Sequence, residues 1–248
     1  MRALKKLLSF IQGFLFFNVL WYIFAIVMNS KVLPTPDKVY KQLPQVFNEG
    51  FYMHITASLY RILAGLLISF ILGTAIGLIM GYHKGINKIL NPLVYFTYPI
   101  PKTALLPVVM TLYGLGDGSK ITIIVLITVF QVIVSVRDAV MNVEKENYNP
   151  LISLGASKLQ LFYHITFPAI LSEILTSIRL SIGTALSVLF FAEAYGTSKG
   201  VGYFIQDAWT RINYLDMYSG ILVLSSLGLL LFILIDFIES MVCRWKKV

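Results

Sequence analysis

The sequence predicts an all-α polytopic membrane protein with six transmembrane helices. Three observations carry that prediction. Of the 248 residues, 57% are hydrophobic and only 13% are charged, whereas a soluble domain carries about a quarter charged residues. The apolar residues fall in runs long enough to cross a bilayer, separated by short polar segments. One long polar interruption, Glu144 to Pro168, carries start and stop signals for two helices too short to span anything. A net charge of +8 in such a chain reports topology rather than nucleic-acid binding. The single cysteine, Cys243, excludes an intrachain disulfide.

Arg2, Lys5 and Lys6 precede an apolar run from Leu7 to Met28. A secretory signal also begins this way, but the run is long for one and no small-x-small cleavage site follows before Asn29. It reads as an uncleaved first transmembrane helix with its N-terminus in the cytoplasm. Pro34-Thr35-Pro36-Asp37 then opens a mildly amphipathic segment. Asp37 is placed to cap a short helix with Val39, Tyr40, Leu43 and Phe47 at apolar positions, weakened by Pro44 and lying on the outer surface. Residues 1–55 thus form an N-terminal helix with an outer interfacial segment, and 56–248 the core transmembrane domain.

The second helix covers Thr56 to Gly81. Gly65, Ser69, Gly73, Gly77 and Gly81 recur every four residues, a small-residue ridge that lets another helix approach closely and buries this one in the bundle. Arg61, near its outer end, is expected to snorkel to the interface. His83, Lys84 and Lys88 mark an inner loop. The third helix, Ile89 to Tyr113, contains Pro92, Pro99, Pro101 and Pro107 and must be kinked or interrupted. Interrupted helices are tolerated where protein or a water-lined path satisfies the backbone. Lys102 sits at a depth where an ammonium group is expensive. Two readings stand: a path-lining segment for an anion, or a structural kink with Lys102 snorkelling inwards.

Gly114 to Lys120 forms a tight outer turn, with Asp117 or Ser119 capping the fourth helix, Ile121 to Val136. It is no phosphate loop, because the spacing is wrong and no strand precedes it. Within Glu144–Pro168, Asn149 reads as an N-cap and Pro150 as the first helical residue. Gly155 stops that turn in a left-handed conformation. Ser157-x-x-Gln160 is a capping box for a second short helix with Leu159, Phe162 and Tyr163 on one stripe, ended by Pro168. Such a knob should dock into something outside the membrane.

The fifth helix, Ala169 to Tyr195, spans about 40 Å at ~1.5 Å per residue. Glu173 and Arg179 lie in its inner half, Ser177, Ser181 and Ala185 make a second small-residue row, and Glu193 sits at the far end. Arg179 and Glu193 either line a path or form intersubunit or helix-end salt bridges. The outer loop, Gly196 to Asp216, carries Gly200-Val201-Gly202, Trp209 and Arg211, and its aromatics suit a membrane interface or an external protein. The sixth helix, Met217 to Met241, leads to Arg244, Lys246 and Lys247. With the knob and both termini inside, eleven Lys and Arg fall in inner segments, six in outer loops, and Arg61, Lys102 and Arg179 within helices. That asymmetry places both ends in the cytoplasm.

No Walker A sequence, HExxH, GxSxG or metal-spaced cysteine-histidine cluster occurs, and His54, His83 and His164 are scattered. The expectation is a non-enzyme that binds no metal or cofactor itself. Any uphill transport draws on a partner or an ion gradient.

LGASKLQLFYHITFP, followed by IRLSIGTALSVLFFAEAYGTSKGVGYFI, resembles the cytoplasmic loop signature of the membrane-spanning permease subunits of ABC importers. It is most similar to the branch for nitrate, sulfonates, taurine and related small anions. The match rests on Gly155, Ala156, Ser157, Gln160, Phe162 and Pro168, and extends to Arg179, Gly183, Ala185, Ala192, Glu193 and Gly200-Val201-Gly202-Tyr203. Where the family has Glu-Ala-Ala ahead of the glycine, this chain has Asn149-Pro150-Leu151.

The resemblance implies a type I ABC importer permease fold with a cytoplasmic coupling loop at 144–168, in a bacterial inner membrane. It implies a second permease copy as a homodimer, an ATPase dimer that holds the ATP-Mg, and a periplasmic or lipid-anchored substrate-binding protein. ATPase coupling would then fall to Asn149, Pro150, Leu151, Leu154, Gly155, Ala156, Ser157, Leu159, Gln160 and Phe162. The candidates for the translocation path are Pro99, Pro101, Lys102, Arg179 and Glu193. The implied cargo is a small sulfonate or nitrate-like oxyanion, with a vitamin precursor such as a pyrimidine as the alternative. An ion-coupled secondary transporter is the rival class, since proline-broken helices occur there too. A membrane-bound assembly or sensor component is the third.

Overall fold

In the computed structural model, residues 2–48, 50–97, 99–243 and 245 are described, with side chains described outside 2–7 and 9. The elements are α1 (Arg2–Met28), α2 (Pro36–Asn48), α3 (Tyr52–Tyr82), α4 (Lys84–Thr97), α5 (Leu106–Tyr113), α6 (Asp117–Met141), α7 (Asn149–Ser153), α8 (Lys158–Leu161), α9 (Phe167–Ala194), α10 (Val201–Thr210) and α11 (Tyr214–Val242). Five apolar spans are long enough to cross a bilayer, and α4 with α5 makes a sixth, broken one whose arms meet at 82°. Arg244, Lys246 and Lys247, assigned from the sequence to the inner end, lie outside the described residues, as do the side chains of Arg2, Lys5 and Lys6.

The small-residue ridge of α3 faces α6 in a fixed register. A Cβ added to Gly65 would lie 2.6 Å from Ile124 Cγ2, one on Gly73 2.6 Å from Val132 Cβ, one on Gly77 2.7 Å from Val136 Cβ, and one on Gly81 2.6 Å from Val140 Cβ. Between the glycines, Ser69 Oγ and Thr128 Oγ1 share a hydrogen bond of 2.6 Å across an offset of 59 residues. The same offset relates every pair in the row, so the two helices run in the same direction. Branched side chains of α6 thus seat directly on bare backbone of α3, as close membrane-helix packing requires. α9 packs along the same seam: Ile170 and Ile174 pack with Val132, Val136 and Val140, and Ile182, Ala185 and Leu189 with Ile123 and Ile124.

α7 and α8 lie at one end of this bundle, the knob end. α2 and α10 lie at the other, the far end, where Val46, Phe51, Val201, Ile205 and Val223 form a separate core. The stretch read as an outer loop therefore contains a packed helix, α10. α1 is tied down near its far end: Trp21 Nε1 donates to the Pro34 carbonyl (3.1 Å), Tyr40 Oη to Asn18 Oδ1 (2.6 Å), and the Trp21 and Tyr218 rings lie 5.8 Å apart.

Several local expectations are corrected. Asp37 does not cap α2 but lies in its first turn, where the Thr35 hydroxyl holds its carboxyl below the usual carboxylate range. Pro44 sits inside that helix, which buries Val39 and Val46 against the body. Neither Asp117 nor Ser119 caps α6: Gly116 holds the cap position, Ser119 Oγ donates to its carbonyl, and Asp117 turns to Arg61. The proline-rich segment, expected to be kinked or interrupted, is interrupted, with Pro99 and Pro101 between α4 and a 3-10 turn at Lys102–Leu105. Tyr148, not Asn149, precedes α7 at its cap position.

Pro168 does not end the knob's second helix. The backbone widens into a π-turn over Phe162–Thr166, Phe167 N–H bonds to the Phe162 carbonyl, and Pro168 falls in the first turn of α9. There its missing N–H costs least, and Lys158–Ala194 becomes one continuous span.

Replacing Gly73 by Leu should lower the unfolding midpoint of the purified protein by an amount equivalent to about 1–3 kcal/mol of overpacking. Gly13→Leu, where an added Cβ meets nothing within 4 Å, should leave the midpoint unchanged in the same thermal melt.

Candidate functional site

The knob is built from local signals that close one after another. α7 ends in a Schellman motif: Gly155 takes φ +77°, Ala156 N–H reaches the Leu151 carbonyl at 3.0 Å, and Gly155 N–H the Ile152 carbonyl at 2.9 Å. The capping box forms, with Ser157 N–H donating to Gln160 Oε1 (2.7 Å) and Gln160 N–H to Ser157 Oγ (3.4 Å). The end of α7 and the start of α8 are therefore both satisfied by groups within the knob.

The knob's apolar surface is left uncovered. Leu154 is 86% exposed and Leu159 65%, with Ile152 and Tyr163 also exposed beside them. Asn149, Pro150, Ser157 and Gln160 are exposed, while Leu151, Ala156 and Phe162 are half-buried, the Phe162 ring lying 6.4 Å from that of Tyr82 on α3. One buried hydroxyl bolts the knob to the bundle. Thr166 Oγ1 accepts from Tyr82 Oη at the end of α3 (2.7 Å) and shares a second bond with Tyr148 Oη (2.9 Å). Nothing in the sequence marks Thr166, because a lone threonine has no pattern until the chain returns to α3.

The path candidates separate into three places. Pro99 and Pro101 are exposed in the break. Lys102 lines a recess of about 270 Å3 with Thr103, Gln131, Thr184 and Phe130. Its ammonium sits 5.2 Å from the Phe130 ring centre. Ser181 Oγ donates to Gln131 Oε1 at 3.1 Å, orienting that amide beside the recess. Arg179 instead turns to α11, where it pairs with Asp236 (2.6 Å) and Glu239.

Glu193 belongs to a buried latch at the far end. Its carboxylate accepts from Ser58 Oγ (2.8 Å), Gly202 N–H (2.9 Å) and Arg61 NH1 (2.7 Å). Arg61 is only 4% exposed; its Nε and NH2 grip Asp117 at 2.7 Å and its NH1 also donates to the Lys199 carbonyl at 2.8 Å. It does not snorkel, because two carboxylates and a carbonyl satisfy the guanidinium inside the protein. Gly200 and Gly202 are bare because Glu193 occupies the space their side chains would need. Lys120, assigned to an exposed turn, is fully buried and donates to the carbonyls of Leu115 and Gly196. Opposite charges at one depth, Arg61 and Glu193, were the sequence signal for this latch. Lys120 left no comparable signal.

Residues 73–246 match the family model described as "Binding-protein-dependent transport system inner membrane component". The chain is 29% identical over 235 residues to the formylaminopyrimidine transport permease protein ThiX of Halalkalibacterium halodurans, covering 94% of both chains. It is 31% identical to the taurine transport system permease protein TauC of Escherichia coli, over 86% of this chain and 80% of that one. The nitrate import permease protein NrtB of Synechocystis is 28% identical, over 90% and 85%. Among solved structures, a bacterial alginate ABC transporter, in complex with a periplasmic protein bound to an alginate pentasaccharide, superposes with a TM-score of 0.68 at 18% identity, over 98% of this chain and 95% of that one. The MetNI methionine ABC transporter gives 0.56 at 16% identity, over 78% and 95%. Glu193, Gly200 and Gly202 of the latch fall inside the matched family span and Arg61 outside it.

Arg61→Ala should destabilise the protein by about 3–5 kcal/mol, because it strands the Glu193 carboxylate in a buried site. Thermal unfolding in detergent reads that loss, and Arg61→Lys should restore only part of it, a point charge lacking the fork that reaches both carboxylates.

Proposed function

The chain belongs to the binding-protein-dependent transport system inner membrane component family, and on that premise we propose that its cargo is a small anion of the sulfonate or nitrate kind. It is an ABC importer permease for small solutes with the type I importer fold, and a separate ATPase subunit does the hydrolysis. An ion-coupled secondary mechanism is set aside on the same ground. The anion reading rests on Lys102. Lys102 lines a recess together with Thr103, Gln131 and Thr184. A cation beside neutral polar groups suits a sulfonate or nitrate, and taurine and nitrate are the cargoes named for two relatives. A pyrimidine is the second reading, favoured by the 94% two-way coverage of the formylaminopyrimidine relative.

We further infer that the knob is the ATPase-coupling element. Leu154, Leu159, Ile152 and Tyr163 offer an apolar foothold on a polar elbow, and Thr166 carries its displacement to α3. Two permease copies would enclose the path, with an ATPase dimer carrying ATP-Mg on the two knobs and a binding protein at the far end. The knob and both termini then face the cytoplasm. Two features support that orientation: the excess of Lys and Arg at the knob end, and the antiparallel lie of α1 and α11, whose far ends meet at Trp21 and Tyr218.

Lys102→Gln should lower uptake of taurine or nitrate at least tenfold in cells carrying the whole transporter, while leaving its amount in the membrane unchanged; equal uptake would overturn the anion reading. Gly155→Val should abolish uptake but keep ATP hydrolysis, because φ +77° is forbidden to a β-branched residue. Gly155→Asn, which tolerates that backbone, should retain both, and a coupled Gly155→Val transporter would refute the coupling role of the knob.

A further inference from the structure

Between α1 and α11 two cavities join end to end. At the far end lies a polar recess of about 670 Å3, lined by Asn29, Ser30, Lys31, Lys38 and Asn213 among others, with no carboxylate among its described lining residues. Below it an apolar slot of about 620 Å3 runs between Phe14, Phe17 and Trp21 of α1 and Tyr218, Ser225 and Leu229 of α11. Leu33 lines both. From Phe14 to Phe24 the slot follows α1 for roughly 15 Å at ~1.5 Å per residue, half of a hydrocarbon core of about 30 Å. It therefore has the depth of one leaflet, with two lysines at the level where headgroups lie.

The backbone around the recess is held in costly conformations. Asn29 (φ 41°) and Ile212 (φ 59°) are the only non-glycine residues with positive φ among those described, and both line it. Each is the left-handed residue that closes a helix: Asn213 N–H reaches the Ala208 carbonyl at 2.9 Å beyond Ile212, and Asn29 N–H the Ala25 carbonyl at 3.2 Å, while the β-branched Ile212 remains an outlier there. The slot itself is open along its length, with Phe14, Phe17 and Phe24 each more than half exposed.

We propose that this composite cavity binds one phospholipid with a net-negative headgroup. The phosphate sits between Lys31 and Lys38, and one acyl chain fills the slot between α1 and α11. The charge of the recess selects the headgroup, since a lysine at a membrane surface favours anionic lipid by roughly fivefold. The slot supplies a chain-shaped apolar partner to a helix otherwise tied down by Trp21, Asn18 and Tyr40 near its far end. Bound lipid thereby becomes the packing between α1 and the body. This site is independent of the cargo and of the knob.

The test uses the full chain in bilayers with Trp209→Phe and Trp245→Phe, leaving Trp21 at the slot as the only tryptophan. Acyl-brominated phosphatidylglycerol should quench Trp21 at several-fold lower mole fraction than brominated phosphatidylcholine, and the preference should shrink as salt is raised. Lys31→Gln with Lys38→Gln should equalise the two lipids, and Lys31→Arg with Lys38→Arg should restore the difference. Equal quenching by both lipids before any lysine is changed would mean ordinary boundary lipid and would overturn the proposal. So would a preference that survives the double Gln variant. Absence of quenching by either lipid would mean that a second copy or another protein fills the slot, which also overturns it.

Discussion

The approach of α3 to α6 is the constraint on which the rest of the molecule depends. In a bilayer the apolar surroundings give helices little hydrophobic reason to associate, so close contact must come from dispersion and from the few polar groups that meet. Gly65, Gly73, Gly77 and Gly81 remove side chains from one helix where Ile124, Val132, Val136 and Val140 place branched ones on the other. Ser69 and Thr128 add a hydrogen bond in the middle of the row. Because every pair shares one offset, the register of the whole bundle is fixed by this seam, and α9 packs on a face of α6 already held in place.

Each end of that seam is then fastened by polar groups of a different kind. At the far end the fastening is ionic: Arg61 joins α3 to the half-exposed Asp117 at the start of α6 and to the buried Glu193 near the end of α9. Such a set is stiff, since removal of Arg61 leaves the buried Glu193 carboxylate without its cation. At the knob end it is a single neutral hydroxyl, Thr166, shared by Tyr82 and Tyr148. A π-turn sits at that point, where the backbone has already given up regular α geometry. The stiff end and the compliant end are thus separated by the length of the bundle, which is the arrangement needed if force enters at the knob.

The helix α1 stands apart from this logic. Among its described side chains Ala25 is the only buried hydrophobic one, so it contributes little to the core. The α1–α11 cavity gives the bilayer itself a part in holding this helix, through lysines that lie far from the translocation candidates in the chain.

Much of the architecture follows from local sequence alone. The six apolar stretches, the four-residue glycine ridge, the left-handed Gly155 and the Ser157–Gln160 capping box each depend on residues within a few positions of one another, so their physics is complete in the one-dimensional chain. Tertiary structure decided everything that needed two distant segments. Arg61 looked like an interfacial cation until Asp117 and Glu193 reached it, and Lys120 looked exposed until the carbonyls of Leu115 and Gly196 enclosed it. Pro168 carries a breaking signal that the preceding π-turn cancels. Thr166 became a junction only when Tyr82 and Tyr148 arrived from other elements. Periodicity and capping report whether a side chain meets its near neighbours; whether a charge or hydroxyl is satisfied depends on partners that folding brings from elsewhere in the chain.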